Sequence, residues 1–306
     1  MAQTVASIKD LLAARGMSPL KGFGQNFLID QNMLRKLIDA ANVVPGETVL
    51  EIGPGTGVLT DELLARGCRV VACEIDRGMC AILRERFAGN ANFTLVEGDC
   101  LDGKHAIAPA VLAALGVPPI GGSATVGADG VETSGSHRPL KAAVGGTGGG
   151  FVHVANLPYG AATPVMSLLM AHHPQCRGLF VTIQREVGDR LAGKPGTKEY
   201  GPLSVLAQVT CEVSLIAKLP PSCFWPQPDV TSIMMSLTRR PTPLHADPAG
   251  LLAFCHALFE QRRKQLQAVL RGMGKVVPAG VDPQIRAEAM SVQQLMALYD
   301  AVGKSA

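Results

Sequence analysis

The chain has 306 residues, 47% of them apolar, and a formal charge of only +3. That length suits one large domain plus a smaller one around a sizeable core, and so small a charge leaves a phosphate-rich partner to be met by local patches. The eight cysteines form no C-x-x-C pair, which argues for buried reduced thiols and against a metal site; with no bilayer-length apolar run and no signal-peptide core at the N-terminus, the expectation is a soluble cytoplasmic protein.

Val5 to Ala14 reads as a short helix with Ile8, Leu11 and Leu12 on one face. The glycine-loosened stretch K-G-F-G-Q-N-F-L-I-D at 21–30 sets polar Gln25 and Asn26 directly before Phe27 and Leu28. A helix follows from about Gln31 to Ala41, striped by Met33, Leu34, Leu37 and Ile38. Val49, Leu50 and Ile52 read as a buried strand that runs into Gly53-Pro54-Gly55-Thr56-Gly57, and a helix with Leu59, Leu63 and Leu64 begins there. Strand, glycine turn and helix form the doubly wound nucleotide-binding arrangement, in which the glycines admit a ligand close to the backbone. The spacing is not that of a dinucleotide fingerprint, and a tight turn without a ligand has the same outline.

The next strand, Arg69 to Ile75, ends in Glu74 and Asp76. An acidic residue about twenty positions after the glycine loop is where such folds grip a ribose diol. Glu74 is the candidate, and Asp76 is placed to cap the following helix. A third strand, Phe93 to Glu97, ends near Asp99, which is placed to accept from the amino group of a cofactor adenine. From Gly116 to Gly150 the periodicity disappears, and eleven residues of that span are glycine. Such a stretch buries too little to offset its ordering entropy, so it reads as a poorly ordered surface insertion. Arg138 and Lys141 give only a thin basis for RNA contact there.

The fourth strand, Phe151 to Ala155, stops at Asn156-Leu157-Pro158-Tyr159. Pro158 has no N–H and biases Leu157 towards extended geometry, so the strand cannot continue. The loop offers an amide side chain, free carbonyls and an aromatic ring. Asn156 Oδ1 and the Pro158 carbonyl suit the two hydrogens of an exocyclic amine, and Tyr159 suits stacking on its ring. An adenine presenting N6 is such a ligand; an ordinary strand-to-helix turn is the alternative. Beyond it the pattern predicts a helix from Pro164 to Ala171, a strand from Gly178 to Gln184, a charged helix from Arg185 to Ala192, and a helix or strand from Leu203 to Cys211.

Val213 to Leu219 alternates as a strand. Cys223-Phe224-Trp225-Pro226-Gln227-Pro228 is then a proline-braced aromatic loop, either a stacking platform for a base or an aromatic plug in the core. Val230 to Leu237 is a last strand, and Pro241 and Pro243 mark a linker to a wholly helical remainder. There Leu251 to Arg271 reads as one helix carrying Arg262-Arg263-Lys264, either a phosphate contact or a solvated face, and Val292 to Val302 as a final short helix. The domain expectation is 1–240 and 241–306.

Seven ordered motifs give the chain a close resemblance to the small-subunit ribosomal RNA adenine N6,N6-dimethyltransferases. They are G-Q-N-F-L (Gly24 to Leu28), E-I-G-P-G-T-G (Glu51 to Gly57), N-L-P-Y (Asn156 to Tyr159), Q-R-E-V (Gln184 to Val187), Y-G-P-L-S-V (Tyr200 to Val205), F-W-P-Q-P-D-V-T-S (Phe224 to Ser232) and Q-R-R-K (Gln261 to Lys264). The resemblance covers most of the chain outside the insertion. It implies an α/β, Rossmann-like class I methyltransferase domain that binds S-adenosyl-L-methionine, and a small C-terminal all-helical domain that shapes an RNA cleft. It places Asn26 and Leu28 at the methionine end of the cofactor, Gly53 in the loop, Glu74 on the ribose and Asp99 on the adenine, with Asn156 shared between cofactor and substrate. It makes Asn156, Leu157, Pro158, Tyr159 and Phe224 the catalytic set, and Tyr159 and Phe224 the two faces holding a flipped base.

The implied reaction is dimethylation of N6 on two adjacent adenosines in a hairpin near the 3′ end of small-subunit rRNA, by a monomer acting on an assembling subunit. Three departures stand out: Gly160-Ala161-Ala162 replaces a more polar stretch after Tyr159, Trp225 fills a position usually small or polar, and the glycine-rich insertion precedes the fourth strand. Two other functions share parts of the pattern. One is a resistance-type methyltransferase of large-subunit rRNA, against which Leu157, G-Q-N-F-L and Q-R-R-K argue; the other is a non-catalytic RNA-binding assembly or transcription factor.

Overall fold

The computed structural model describes residues 4–19, 25–103, 105–118 and 150–303. Most of the glycine-rich stretch, with Arg138 and Lys141, lies outside them, as does Gly24.

The N-terminal half alternates helix and strand: α1 (Val5–Ala13), β1 (Phe27–Leu28), α2 (Gln31–Ala41), β2 (Thr48–Ile52), α3 (Val58–Ala65), β3 (Arg69–Glu74), α4 (Arg77–Arg86) and β4 (Phe93–Glu97). A small hairpin of β5 (Leu101–Asp102) and β6 (Ala106–Ile107) leads to α5 (Pro109–Leu115). Then come β7 (Phe151–Asn156), α6 (Tyr159–His172), β8 (Cys176–Gln184), α7 (Arg185–Leu191), α8 (Pro202–Thr210), β9 (Cys211–Leu219), β10 (Phe224–Trp225) and β11 (Ser232–Arg239). Three helices close the described chain: α9 (Pro248–Phe259), α10 (Leu266–Gly272) and α11 (Val292–Leu298).

Seven strands form one sheet in the order β4-β3-β2-β7-β8-β11-β9. The first five are parallel; β11 runs antiparallel to both β8 and β9. Strand alternation assigns its faces. Leu50, Ile52, Phe151 and Ala155 pack with α5, α6 and α8 on one side. Val49, Val70, Val152 and Val154 pack with α2 and α3 on the other. The strand order reverses between β2 and β7, so their carboxyl ends flank the crevice where open α/β sheets bind ligands. A separate apolar cluster joins Val205 and Val209 of α8 to α9, α10 and α11.

Three elements differ from the sequence expectation, and one left open between helix and strand is resolved. Helix α6 starts at Tyr159, not Pro164, because Pro158 stands at its N-cap and its carbonyl takes the first helical bonds; Pro164 lies inside the helix. Residues from Pro202 settle as helix, with proline in the first turn, and Cys211 already opens β9. The last strand starts at Ser232 rather than Val230. The helix expected from Leu251 to Arg271 is broken at residues 260–265, so Q-R-R-K occupies a turn between α9 and α10.

Candidate active site

A cavity of about 520 Å³ opens at the switch point, within the range of small-molecule and cofactor sites. Its floor is the glycine loop after β2. Gly53 takes φ +69°, and a Cβ there would come within 2.8 Å of Pro158 Cγ; Gly55 takes φ +56°, and its Cβ would meet the Phe27 ring at 2.9 Å. The missing side chains let the loop pack against both neighbours and still leave the cavity clear.

Glu74 ends β3 on the wall of the cavity and is buried. Its carboxylate accepts from Asp76 N at 2.9 Å and from Gly55 N at 3.2 Å, tying the strand end to the glycine loop. Burial pushes its carboxyl above the ordinary range, against the lowering effect of these backbone donors. Asp76 caps α4 through Gly78 N and Met79 N and also accepts from Gln25 Nε2 at 3.0 Å. Asp99 lies at the end of β4, exposed, with one carboxylate oxygen on Leu101 N at 2.9 Å. Two carboxylates at adjacent strand ends, beside a loop in which Gly53 and Gly55 carry no side chain, match the ribose hydroxyls and amino group of an adenosine. The donor set therefore fits S-adenosyl-L-methionine.

Sequence reasoning passed over Glu51 as a site residue, although it opens the glycine motif. It is 2% exposed, lines the cavity and accepts from Thr60 Oγ1 at 2.6 Å. Burial, opposed by that hydrogen bond and aided by the charges of Glu74 and Asp61, raises its pKa to about 8. Burial thus favours its neutral, protonated form.

The Asn156 loop forms the opposite wall. Asn156 Nδ2 donates to the Asn26 carbonyl at 2.9 Å, which joins two segments 130 residues apart and leaves Oδ1 as the acceptor. The Pro158 carbonyl already accepts from Ala161 N and Ala162 N. It is therefore not the second acceptor expected from the sequence. The Leu157 carbonyl accepts no hydrogen bond among the described residues, while the Leu157 side chain is core. Asn156 Oδ1 and the Leu157 carbonyl are the available pair.

Tyr159 stands between the large cavity and a second one of about 300 Å³ bounded by Pro19, Gln184 and Gln227; Gln25 and Asn26 also line both. Its hydroxyl shares a 2.7 Å hydrogen bond with Ser232 Oγ, a partner that sequence reasoning did not single out.

The aromatic loop behaves as a plug. Phe224 is 1% exposed, pairs with Leu28 across β1 and β10, and packs with Leu34 and Met234; it lines neither cavity. Leu28 shields it, and Leu28 itself reaches the cofactor cavity. Trp225 stacks on Phe27 at 6.2 Å between ring centroids, with Lys9 Nζ 5.6 Å from its own centroid, so its ring is already partnered. The basic cluster divides. Arg262 pairs with Glu288 at 2.7 Å and donates to the carbonyls of Thr197 and Lys198, which makes it an internal clamp; Arg263 and Lys264 are exposed.

A switch-point cavity with a glycine loop and strand-end carboxylates defines a class I, S-adenosyl-L-methionine-dependent methyltransferase. The fold agrees with two solved structures. A dimethyladenosine transferase from Plasmodium falciparum has a TM-score of 0.62 and 20% identity, over 89% of this chain and 96% of that one. The 23S rRNA methyltransferase ErmE has a TM-score of 0.53 and 24% identity, over 90% and 100%. The family model described as "Ribosomal RNA adenine dimethylase" matches residues 19–304. Proteins called ribosomal RNA small subunit methyltransferase A are 36% identical in Moorella thermoacetica, over 94% of each chain, and 35% identical in Bacillus mycoides, over 96% of this chain and 94% of that one. The chain belongs to the ribosomal RNA adenine dimethylase family. It is a methyl-transferring enzyme, and none of its described helices is long and apolar enough to cross a membrane.

Proposed function

We propose that the enzyme dimethylates N6 of two adjacent adenosines in the 3′-terminal hairpin of small-subunit rRNA, during subunit assembly and as a cytoplasmic monomer. The observation that carries this reading is the open acceptor pair, Asn156 Oδ1 and the Leu157 carbonyl, on the wall of a cavity built for an adenosyl cofactor. The relatives named for small-subunit methylation support the choice of subunit.

In this reading Glu74 holds the cofactor ribose, Asp99 its adenine, and Gly53, Asn26 and Leu28 its methionine end. Bound S-adenosyl-L-methionine supplies a methyl group on a sulfonium sulfur, a good leaving group. The N6 lone pair of adenine is delocalised into the ring and is a poor nucleophile. Two acceptors on the N6 hydrogens favour a pyramidal nitrogen and aim its lone pair, and Tyr159 supports the flipped base from one face. Positioning supplies most of the acceleration. No protein base is required, because the nitrogen becomes acidic once methylated and releases its proton to water. The base approaches through the smaller cavity, and the helical segment 241–303, with Arg263 and Lys264, walls the RNA cleft.

Asn156→Ala tests the reading. The variant should lose methyl transfer to unmethylated small subunits while binding the cofactor within a few-fold of the wild type. Normal turnover would refute the assigned role.

A further inference from the structure

We propose that Ser232 is a positioning residue for Tyr159, and that the hydrogen bond between their hydroxyls governs the second methyl transfer more than the first. The inference rests on the site reading above and adds how the enzyme proceeds from one methyl group to two.

Ser232 is a fixed point. It opens β11, is 0% exposed, and lies opposite Gln184 of β8 and Leu219 of β9, so the sheet holds its backbone from both sides. Its Oγ is 2.7 Å from the Tyr159 hydroxyl and is the only partner of that hydroxyl among the described residues. The local sequence adds no polar support. Tyr159 is the first residue of α6, and the next three residues, Gly160, Ala161 and Ala162, bring no polar side chain. The backbone anchors one end of the tyrosine, and Ser232 anchors the other.

The chemistry separates the two transfers. Each forms one N–C bond as the S–C bond of the sulfonium breaks, its electron pair staying on sulfur, and each releases one N6 proton to water. The unmodified amino group enters with two N–H bonds for the two acceptors at Asn156 and Leu157. The monomethylated group enters with one, so one acceptor loses its partner. A larger share of orientation then falls on stacking against Tyr159. A ring free to tilt harms the second step more than the first.

The test is a time course with labelled S-adenosyl-L-methionine and unmethylated small subunits, resolving N6-methyladenosine from N6,N6-dimethyladenosine. Ser232→Ala should slow the first transfer by no more than about threefold and the second by about tenfold, within the reach of one hydrogen bond. N6-methyladenosine should accumulate, while the dissociation constant for the cofactor stays within about twofold of the wild type. Tyr159→Phe keeps the ring and should give the same product ratio, and the double variant should be no worse than either single one.

A ratio of second to first rates equal to the wild type, or additive effects in the double variant, would overturn the proposal. If Ser232→Ala fails to fold or to bind cofactor, the product ratio of Tyr159→Phe decides alone. Absence of dimethyladenosine from the wild-type reaction would overturn the site reading as well. Normal wild-type product with an unchanged ratio in the variants overturns this inference only.

Discussion

Gly53 and Pro158 interlock: a Cβ added to Gly53 would lie 2.8 Å from Pro158 Cγ and 2.9 Å from its Cδ. The glycine loop after β2 and the Asn156 loop after β7 are thus seated against each other, one on the cofactor side and the other on the substrate side of the site in the proposed reading. The contact leaves neither loop room to move towards the other.

Gly53→Ala should therefore damage both sides. The residue would carry a left-handed φ of +69° and a clash with a rigid ring, together about 2–4 kcal/mol. Thermal unfolding should show a lower midpoint, and calorimetry should show weakened cofactor binding. A variant with unchanged melting and cofactor affinity would mean that the interlock has no energetic consequence.

Glu51 sets a pH dependence. It keeps its proton to about pH 8, whereas the ordinary carboxyl loses it near 4.5. Between those values the native state binds the extra proton, so stability falls as pH rises through that window. Glu51→Gln removes this effect without removing the buried volume. Its melting temperature relative to wild type should climb from pH 5 to pH 8. His153 acts with the opposite sign: burial lowers its pKa from 6.5 to about 4, so stability is lost as pH falls through that range. The Gln variant should keep this acid limb. A difference between Glu51→Gln and wild type that is constant with pH would contradict the assignment of a neutral Glu51.

The basic turn should divide by role. Arg262→Ala strands Glu288 and two carbonyls, and unfolding should show a loss of about 1–2 kcal/mol, moderated by solvent because the side chain is one-third exposed. Arg263→Ala and Lys264→Ala should leave stability within about 0.5 kcal/mol. Each should weaken RNA binding and reduce its salt slope by about one. RNA titrations at several salt concentrations check this, and unchanged affinity in both variants would assign the turn a solvated face alone.

Much of the site was legible because its parts are local. The loop at Gly53, the strand end at Glu74 and the break at Pro158 follow from backbone rules applied to a few adjacent residues. What the sequence could not show depends on pairings across the chain. Ser232 meets Tyr159 over 73 residues, Asn156 meets Asn26 over 130, and Phe224 is buried because β10 pairs with β1. The Pro158 carbonyl reads as a free acceptor in the sequence, but α6 begins at the next residue and uses it. Arg262 reads as part of a basic cluster because Glu288, its partner, lies 26 residues on in a short 3-10 helix. Glu51 was visible as a letter of the motif, but its proton follows from burial.

The central claim is that Asn156 and Leu157 present an rRNA adenine of the small subunit to the cofactor. The most direct test offers labelled S-adenosyl-L-methionine with unmethylated small subunits and, in parallel, large-subunit rRNA, and analyses the modified nucleosides. The account predicts N6,N6-dimethyladenosine, confined to the small-subunit rRNA. Product confined to large-subunit rRNA, or no product on either from an enzyme that still binds the cofactor, would contradict it.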